Sequence, residues 1–450
     1  MLTTITRPDP RSALDLPAPP ARPDHGDRLP RWAVAAAIAS LPLLVPPGPA
    51  NTAPADLFIL VALGVTLLWA ASTRQRLQFP YVIGVGTMVT AGCLAALLGS
   101  YPHEGAIAVV IDIFLLGWAT VVANVGRTEA AIAFLVRAWC VSGSLWGIGL
   151  LAFVIRGAVS YGLDTAAGAR ASFTLGEQNG AGFYFAATVF VILAGRCPRR
   201  LWLRVPVVAC LLADTVLTGS LAALLGLLAG LALALVAGTA GRRGGAAALL
   251  IFIVLAVAGG AAYQVMHHYQ IVEKAQSSQN PILHNSVGRE QQSAWERQTL
   301  TEETLHLWST STLLGLGPDA TKSTLRQQLA PYPKQAHDDW TAVLVERGVL
   351  GFAGLLLLVT EIIVRAYRVG SSVAPGDPPH GRLRVPHSPP AGLPAPQFLI
   401  GALGTLAVYS FTHEQLHDRT VWTLFGLLAA LSLWPGRAGW PAPRPGGRKP

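Results

Sequence analysis

KQAHDDWTAVLVERGVLG, residues 334–351, passes from polar to apolar within a few positions. A helix rises about 1.5 Å per residue, so about 20 mostly apolar residues cross a hydrocarbon core of about 30 Å. Residues 343–367 meet that requirement. Upstream, the same stretch closes a polar loop over residues 267–339, in a chain that is 52% hydrophobic and only 13% charged. It therefore sets His337, Asp338 and Asp339 where a long polar loop enters a membrane helix.

Eleven further segments have the composition of spans: 33–49, 56–72, 80–99, 105–124, 130–155, 180–195, 201–216, 220–238, 246–266, 396–411 and 419–434. The fold class this predicts is an all-α polytopic membrane protein of about twelve transmembrane helices with one large helical extracytoplasmic loop. The first segment is interrupted by Pro42, Pro46 and Pro47, and little more than 214–220 separates the seventh from the eighth. The formal charge of +9 does not point to nucleic acid, because its arginines recur in every second loop. Arg74 and Arg76, Arg127, Arg199 and Arg200, Arg242 and Arg243, and Arg365 and Arg368 all fall on one side of such a bundle. Cytoplasmic loops carry that excess, so both termini are expected inside. Eight of the eleven histidines then fall on the outer side, which puts the polar chemistry there.

The expected organisation is a disordered cytoplasmic tail over 1–30, helices over 31–266, the outer loop over 267–339 and helices over 340–436. A cytoplasmic linker at 371–396 interrupts the last group, and a tail follows over 437–450. Residues 1–30 offer little apolar surface to bury, and no removable signal peptide is read ahead of the first span. The four cysteines lie in spans or on the inner side, so no disulfide framework is indicated.

Three outward segments carry candidate chemistry. GARASFTLGEQNGAGFYF, 168–185, holds Arg170 outside against the basic-inside trend, as does Arg156, and Asn179 stands near a helix start. A guanidinium there suits phosphate or carboxylate through bidentate hydrogen bonds, although a solvated arginine and an ordinary cap explain the same residues. Residues 284–317 read as an amphipathic external helix stopped by Gly315, Gly317 and Pro318, with Arg289 at its start and Trp295 and Trp308 as headgroup anchors. Arg297, Glu302 and Glu303 read as solvated charges. His337 at a helix start can orient or deprotonate a hydroxyl, or be structural; Asp338 or Asp339 can cap the helix. No metal site is expected: His413 and His417 are four apart with no third ligand nearby, and no HExxH occurs.

Taken in order, Arg170 and Asn179, the TGS segment Thr218–Ser220, Gly288-Arg289-Glu290 with Trp295, LLGLGPD at 313–319, and a histidine before VERGVLGF resemble the O-antigen ligase and O-antigen polymerase family of bacterial envelope glycosyltransferases. The likeness covers roughly residues 160–370. Asp338 replaces the family's asparagine, whereas Glu346, Gly348 and Gly351 fit its Glu-x-Gly-x-x-Gly stretch. Leu221 follows Ser220, so the usual serine-arginine of the TGS-like segment is absent.

What the resemblance implies is a metal-independent glycosyltransferase of the cytoplasmic (inner) membrane, needing no cofactor and working on the outer face. Its donor would be an undecaprenyl-diphosphate-linked glycan and its acceptor a glycan or glycolipid. His337, Arg289 and Arg170 are then the expected catalytic residues, with Asn179, Asp338, Glu346 and Arg156 binding substrate. An apolar groove between spans would hold the polyprenyl tail. Ligase and polymerase differ in the acceptor, and the ligase is slightly favoured by the single large loop. A transporter or lipid-linked glycan flippase is the rival, but the spans carry few charges besides Asp112, Arg137 and Glu361 and show no matching halves. A structural scaffold of the envelope predicts instead that losing the outward arginines and histidine is harmless.

Overall fold

A computed structural model describes residues 27–48, 52–156, 171–279, 284, 290–328, 334, 336, 338–371 and 393–433. They form helices and loops, with no strand among the described residues. In chain order the helices are α1 (Arg28–Ala39), α2 (Pro54–Thr73), α3 (Val82–Leu98), α4 (Pro102–Val125), α5 (Glu129–Ile155), α6 (Gln178–Gly195), α7 (Leu201–Leu217) and α8 (Leu221–Arg243). They continue with α9 (Gly245–His268), α10 (Ile271–Gln276), α11 (Glu290–Trp308), α12 (Ala320–Gln327), α13 (Asp339–Ser371), α14 (Gln397–Tyr409) and α15 (Arg419–Ser432).

Each of the twelve apolar segments coincides with a helix, but their standing differs. α2, α4, α5, α6, α8, α9 and α13 are the 7 long and apolar enough to cross a bilayer; α3, α14 and α15 are shorter apolar helices. α1 has only 12 residues, and α7 carries Arg204, Pro206 and Asp214 within 17. α1 also lies earlier than expected. It ends at Ala39, ahead of Pro42, and begins at Arg28, so Arg28–Pro30 belong to it and not to a disordered tail. Arg31 pairs with Asp27 at 3.2 Å on this first turn. Residues 1–26, most of the expected linker and the C-terminal tail lie outside the described residues.

The long axis of the core is built from helix pairs, α8 with α14 and α3 with α13. Small residues let these pairs approach, as expected where lipid competes equally for larger apolar side chains. A Cβ at Gly230 would meet the Gly401 carbonyl, and Thr405 Oγ1 donates to the Gly226 carbonyl at 3.0 Å. Buried indoles complete the core with their N–H groups satisfied: Trp118 donates to Thr423 Oγ1 at 2.8 Å and Trp139 to Thr188 Oγ1 at 3.0 Å. α9 stands at the edge against α8 and α10, with Leu250, Phe252 and Val257 exposed, a surface suited to lipid.

α13 breaks at Gly348, where φ is 61° and ψ is −167°. The break frees carbonyls before it and amides after it, and a turn from the large loop supplies their partners. Val349 N donates to Thr312 O at 3.0 Å and Leu350 N to Leu313 O at 3.5 Å. In return Leu316 N donates to Val345 O and Gly317 N to Glu346 O, both at 3.0 Å. Buried backbone groups need such partners, so the turn and the kink form one unit. Leu300 and Leu307 of α11, Leu325 of α12 and Val345 make a small second core over it. α11 stops at Trp308, short of the expected Gly315, because Ser309 Oγ and Thr310 Oγ1 turn back onto the His306 and Leu307 carbonyls.

Candidate functional site

The first turns of α13 are gripped from both sides by its own acids. Asp338 is the cap, accepting from Thr341 N at 2.7 Å. Asp339 turns to the loop between α14 and α15, its Oδ1 accepting from Gln415 N at 2.7 Å and Leu416 N at 3.0 Å. Glu346 faces the large loop: Asp319 N and Thr321 Oγ1 each donate to it at 2.9 Å. Expected to meet substrate, Glu346 instead has both carboxylate oxygens engaged within the protein and braces the turn ahead of α12.

Beside it, Arg347 Nη1 lies 2.6 Å from Asp112 Oδ2 of α4, with the two side chains 4% and 3% exposed. His417, from the α14–α15 loop, places Nε2 3.4 Å from Asp112 Oδ1. That nitrogen is buried, yet 40% of the side chain remains open. The same loop is tied to α2 by Arg419, which donates to both oxygens of Asp56 at 2.7 and 2.6 Å. Three segments distant in sequence therefore converge on one end of α13.

The loops here are acidic. Burial pushes Glu414 well above the usual carboxylate range, and the nearby charges of Glu346, Asp339, Asp319 and Asp338 add to the shift. Its Oε1 is buried with no hydrogen-bond partner among the described residues. Burial likewise raises Asp319. For His417, burial opposes the charged ring, but the Asp112 carboxylate outweighs it and the imidazole titrates above its ordinary range.

His337, Arg289 and Arg170 lie outside the described residues. Their chain neighbours Asp338, Glu290 and Ala171 open α13, open α11, and donate to the Leu217 carbonyl at 3.1 Å beside the TGS turn, respectively. Asn179 is not the cap of α6: Glu177 is, accepting from Gly180 N at 2.9 Å. Arg156 follows α5 and is exposed. Among the described residues no group of three His, Cys, Asp or Glu side chains is arranged to hold a metal ion. The convergence of Asp112, Arg347 and His417 was not visible in the sequence; its one signal there was an acid inside an apolar span.

One further feature reaches this end. A groove of about 880 Å³ runs between α8, α13, α14 and α15, from Gly241 and Tyr367 to Asp339, Trp340 and Gln415. On α13 it is lined by Asp339 and Trp340 before the Gly348 break and by Leu355 to Gly370 after it, the latter stretch alone running roughly 22 Å at 1.5 Å per residue. Its walls are almost wholly apolar. Its polar groups, Asp339, Ser410 and Gln415, gather where α13 begins.

Helices of this length and apolarity define a multi-pass membrane protein, with a polar network and a groove mouth at one end of α13. Residues 206–356, about a third of the chain, match the family model described as O-antigen ligase. The match supports the O-antigen ligase family, and it spans α7 to the first half of α13, including the Gly348 kink. No curated protein matches the chain.

Proposed function

We propose that this protein is a membrane glycosyltransferase that moves a glycan from an undecaprenyl-diphosphate carrier to a hydroxyl of a glycan or glycolipid, in the manner of an O-antigen ligase acting on lipid A-core or a similar acceptor. It works without a metal at the outer face of the bacterial cytoplasmic membrane, with both termini inside. The observation that carries the reading is the groove. An apolar groove of about 880 Å³, whose polar mouth lies at the start of α13 inside the family-matched segment, suits a polyprenyl tail with its diphosphate at the mouth.

The chemistry follows from the residues that the sequence marks for it. A leaving diphosphate gains negative charge as the glycosidic bond breaks, and preorganised cations are most effective in a partly dehydrated site. Arg289 and Arg170 take that role, and His337 aligns the acceptor hydroxyl or removes its proton.

The test is glycan transfer by the purified protein, without added metal, from undecaprenyl-diphosphate oligosaccharide. Wild type transfers, while folded His337→Ala and Arg289→Ala each lose about 10²-fold or more. A lipid A-core acceptor identifies a ligase; extension of the donor's own repeat unit identifies a polymerase. Full transfer by both variants removes these residues from the chemistry. Absence of transfer with every acceptor, together with movement of the carrier across vesicles, replaces the reading with a flippase.

The groove makes a separate prediction. Ala407→Trp, on its exposed wall, raises KM about tenfold for the long-chain donor, the equivalent of losing contact with about two methylenes. A donor with a short prenyl chain is little affected. Equal effects on both donors place the tail elsewhere.

A further inference from the structure

Asp112 sits in the middle of an apolar helix, yet it serves two partners. Arg347 at 2.6 Å already supplies a full counter-charge. A second group is not required for neutrality, but the carboxylate's other oxygen is turned to His417 Nε2 at 3.4 Å. The result is an imidazole with one buried nitrogen in ion-pair range of a buried, anchored carboxylate and 40% of the side chain open. A carboxylate at that distance stabilises the imidazolium that forms on taking a proton and favours the tautomer with its proton on Nε2. The other nitrogen, Nδ1, is then the one that meets substrate. The backbone around His417 is also fixed, by Asp339 through Gln415 and Leu416 and by the Arg419–Asp56 pair. Asp339 is two residues from His337 and lines the groove mouth.

We infer that His417, oriented by Asp112 and Arg347, is the group that accepts the proton of the acceptor hydroxyl. This rests on the glycosyl-transfer reading above and deepens it. Both Asp112 and His417 lie outside the segment matched by the family model.

In the step, the acceptor O–H gives its proton to His417 Nδ1 as the oxygen bonds to the anomeric carbon. The bond from that carbon to the diphosphate oxygen breaks, and its electron pair leaves on the lipid diphosphate. The imidazolium afterwards returns the proton to water. His337 keeps the orienting role, and Arg289 and Arg170 keep the role of stabilising the leaving group's charge. Asp112 and Arg347 are positioning residues.

The charged groups facing His417 fix the sign of its pH dependence. From α4 comes Asp112; from α13 come Arg347, Glu346 and Asp339; Asp319 faces it from the turn before α12. The active form is the neutral ring, so kcat rises with pH through the His417 titration. Asp112→Asn removes the anion that favours the charged ring, and the rising limb moves to lower pH.

The experiment measures kcat and KM against pH for the full-length protein, with the donor and the acceptor that wild type uses. His417→Ala is expected to lose about 10²–10⁴-fold in kcat with donor KM nearly unchanged. Added imidazole restores part of the rate, in proportion to its free-base fraction. His417→Gln, which keeps much of the bulk and a polar end near Asp112, stays folded and slow. Asp112→Asn shifts the limb to lower pH, which a merely structural role would not do. The inference is overturned if wild type transfers glycan and folded His417→Gln or His417→Ala does so at an equal rate with an unmoved profile. If wild type transfers to no acceptor, the transfer reading falls and this one with it.

Discussion

Arg347→Met is expected to destabilise the folded protein by about 3–5 kcal/mol, the cost of leaving a buried charge without its partner. Asp112 is 2% exposed and lies in an apolar span, so no water takes over from the guanidinium. His417, at 3.4 Å and partly open, compensates only in part. Asp112→Leu alone strands Arg347 in the same way, with the charge of Glu346 as its remaining neighbour. The double variant Asp112→Leu, Arg347→Met strands nothing, and replacing a buried ion pair with apolar groups of similar size is often neutral or better. The two single losses are therefore expected not to add. Thermal unfolding and denaturant titration of the four proteins in one detergent form the cycle that measures this coupling. Additive losses would show that the two charges do not depend on each other. The double variant also separates stability from chemistry: it is expected to fold and yet transfer slowly, because His417 has lost the carboxylate that orients it.

Much of the helical framework was legible in the sequence because lipid imposes simple rules. Twenty apolar residues, proline breaks and alternating basic loops suffice to find α2 to α9 and α13 to α15, since each signal is local. The position of α1 was missed by several residues, because the apolar stretch continues past the prolines that end the helix and Arg28–Pro30 look like tail. The turn between α7 and α8 was legible at Thr218–Ser220, where Gly219 has a positive φ of 61°.

The network at the head of α13 was not legible, for a physical reason. Asp112 is visible as a charge in an apolar run, but a single sequence carries no sign that α4 and α13 bring it within 2.6 Å of Arg347. Glu361, another such charge, receives the Tyr81 amide at 3.0 Å, which is equally invisible from spacing. His417 and His413 were weighed as a metal pair four residues apart and set aside for want of a third ligand. In the folded chain they sit on a loop, where His413 stacks on Tyr409 with ring centroids 4.5 Å apart and His417 turns to Asp112. Asp338 and Glu346 were expected to bind substrate; in the fold their oxygens accept from the protein's own amides and hydroxyl.

Gly348→Ala is expected to cost about 2–5 kcal/mol and to abolish most transfer, although it removes no functional group. The φ of 61° with ψ of −167° lies in a region open essentially to glycine alone, which accounts for about 1–3 kcal/mol of strain in any other residue. The added methyl also points into the Leu313 carbonyl and the Leu314 amide, rigid backbone atoms that have no rotamer by which to yield. Relief requires the turn at 312–317 to withdraw. That breaks the hydrogen bonds it exchanges with Val345, Glu346, Val349 and Leu350, at roughly 1 kcal/mol each where water does not replace them. Withdrawal of the turn also loosens Asp319 and Thr321 from Glu346, so the large loop loses its hold on α13 just above Arg347. Gly86→Ala is the control: a Cβ there meets nothing within 4 Å, in the apolar helix α3, and its effect should stay within about 0.5 kcal/mol. Limited proteolysis of the two variants distinguishes the outcomes. Faster cleavage between 308 and 320 in Gly348→Ala, with the spans intact, is the expected result. Equal protection and equal transfer in both would mean that the kink is not what holds the large loop on α13.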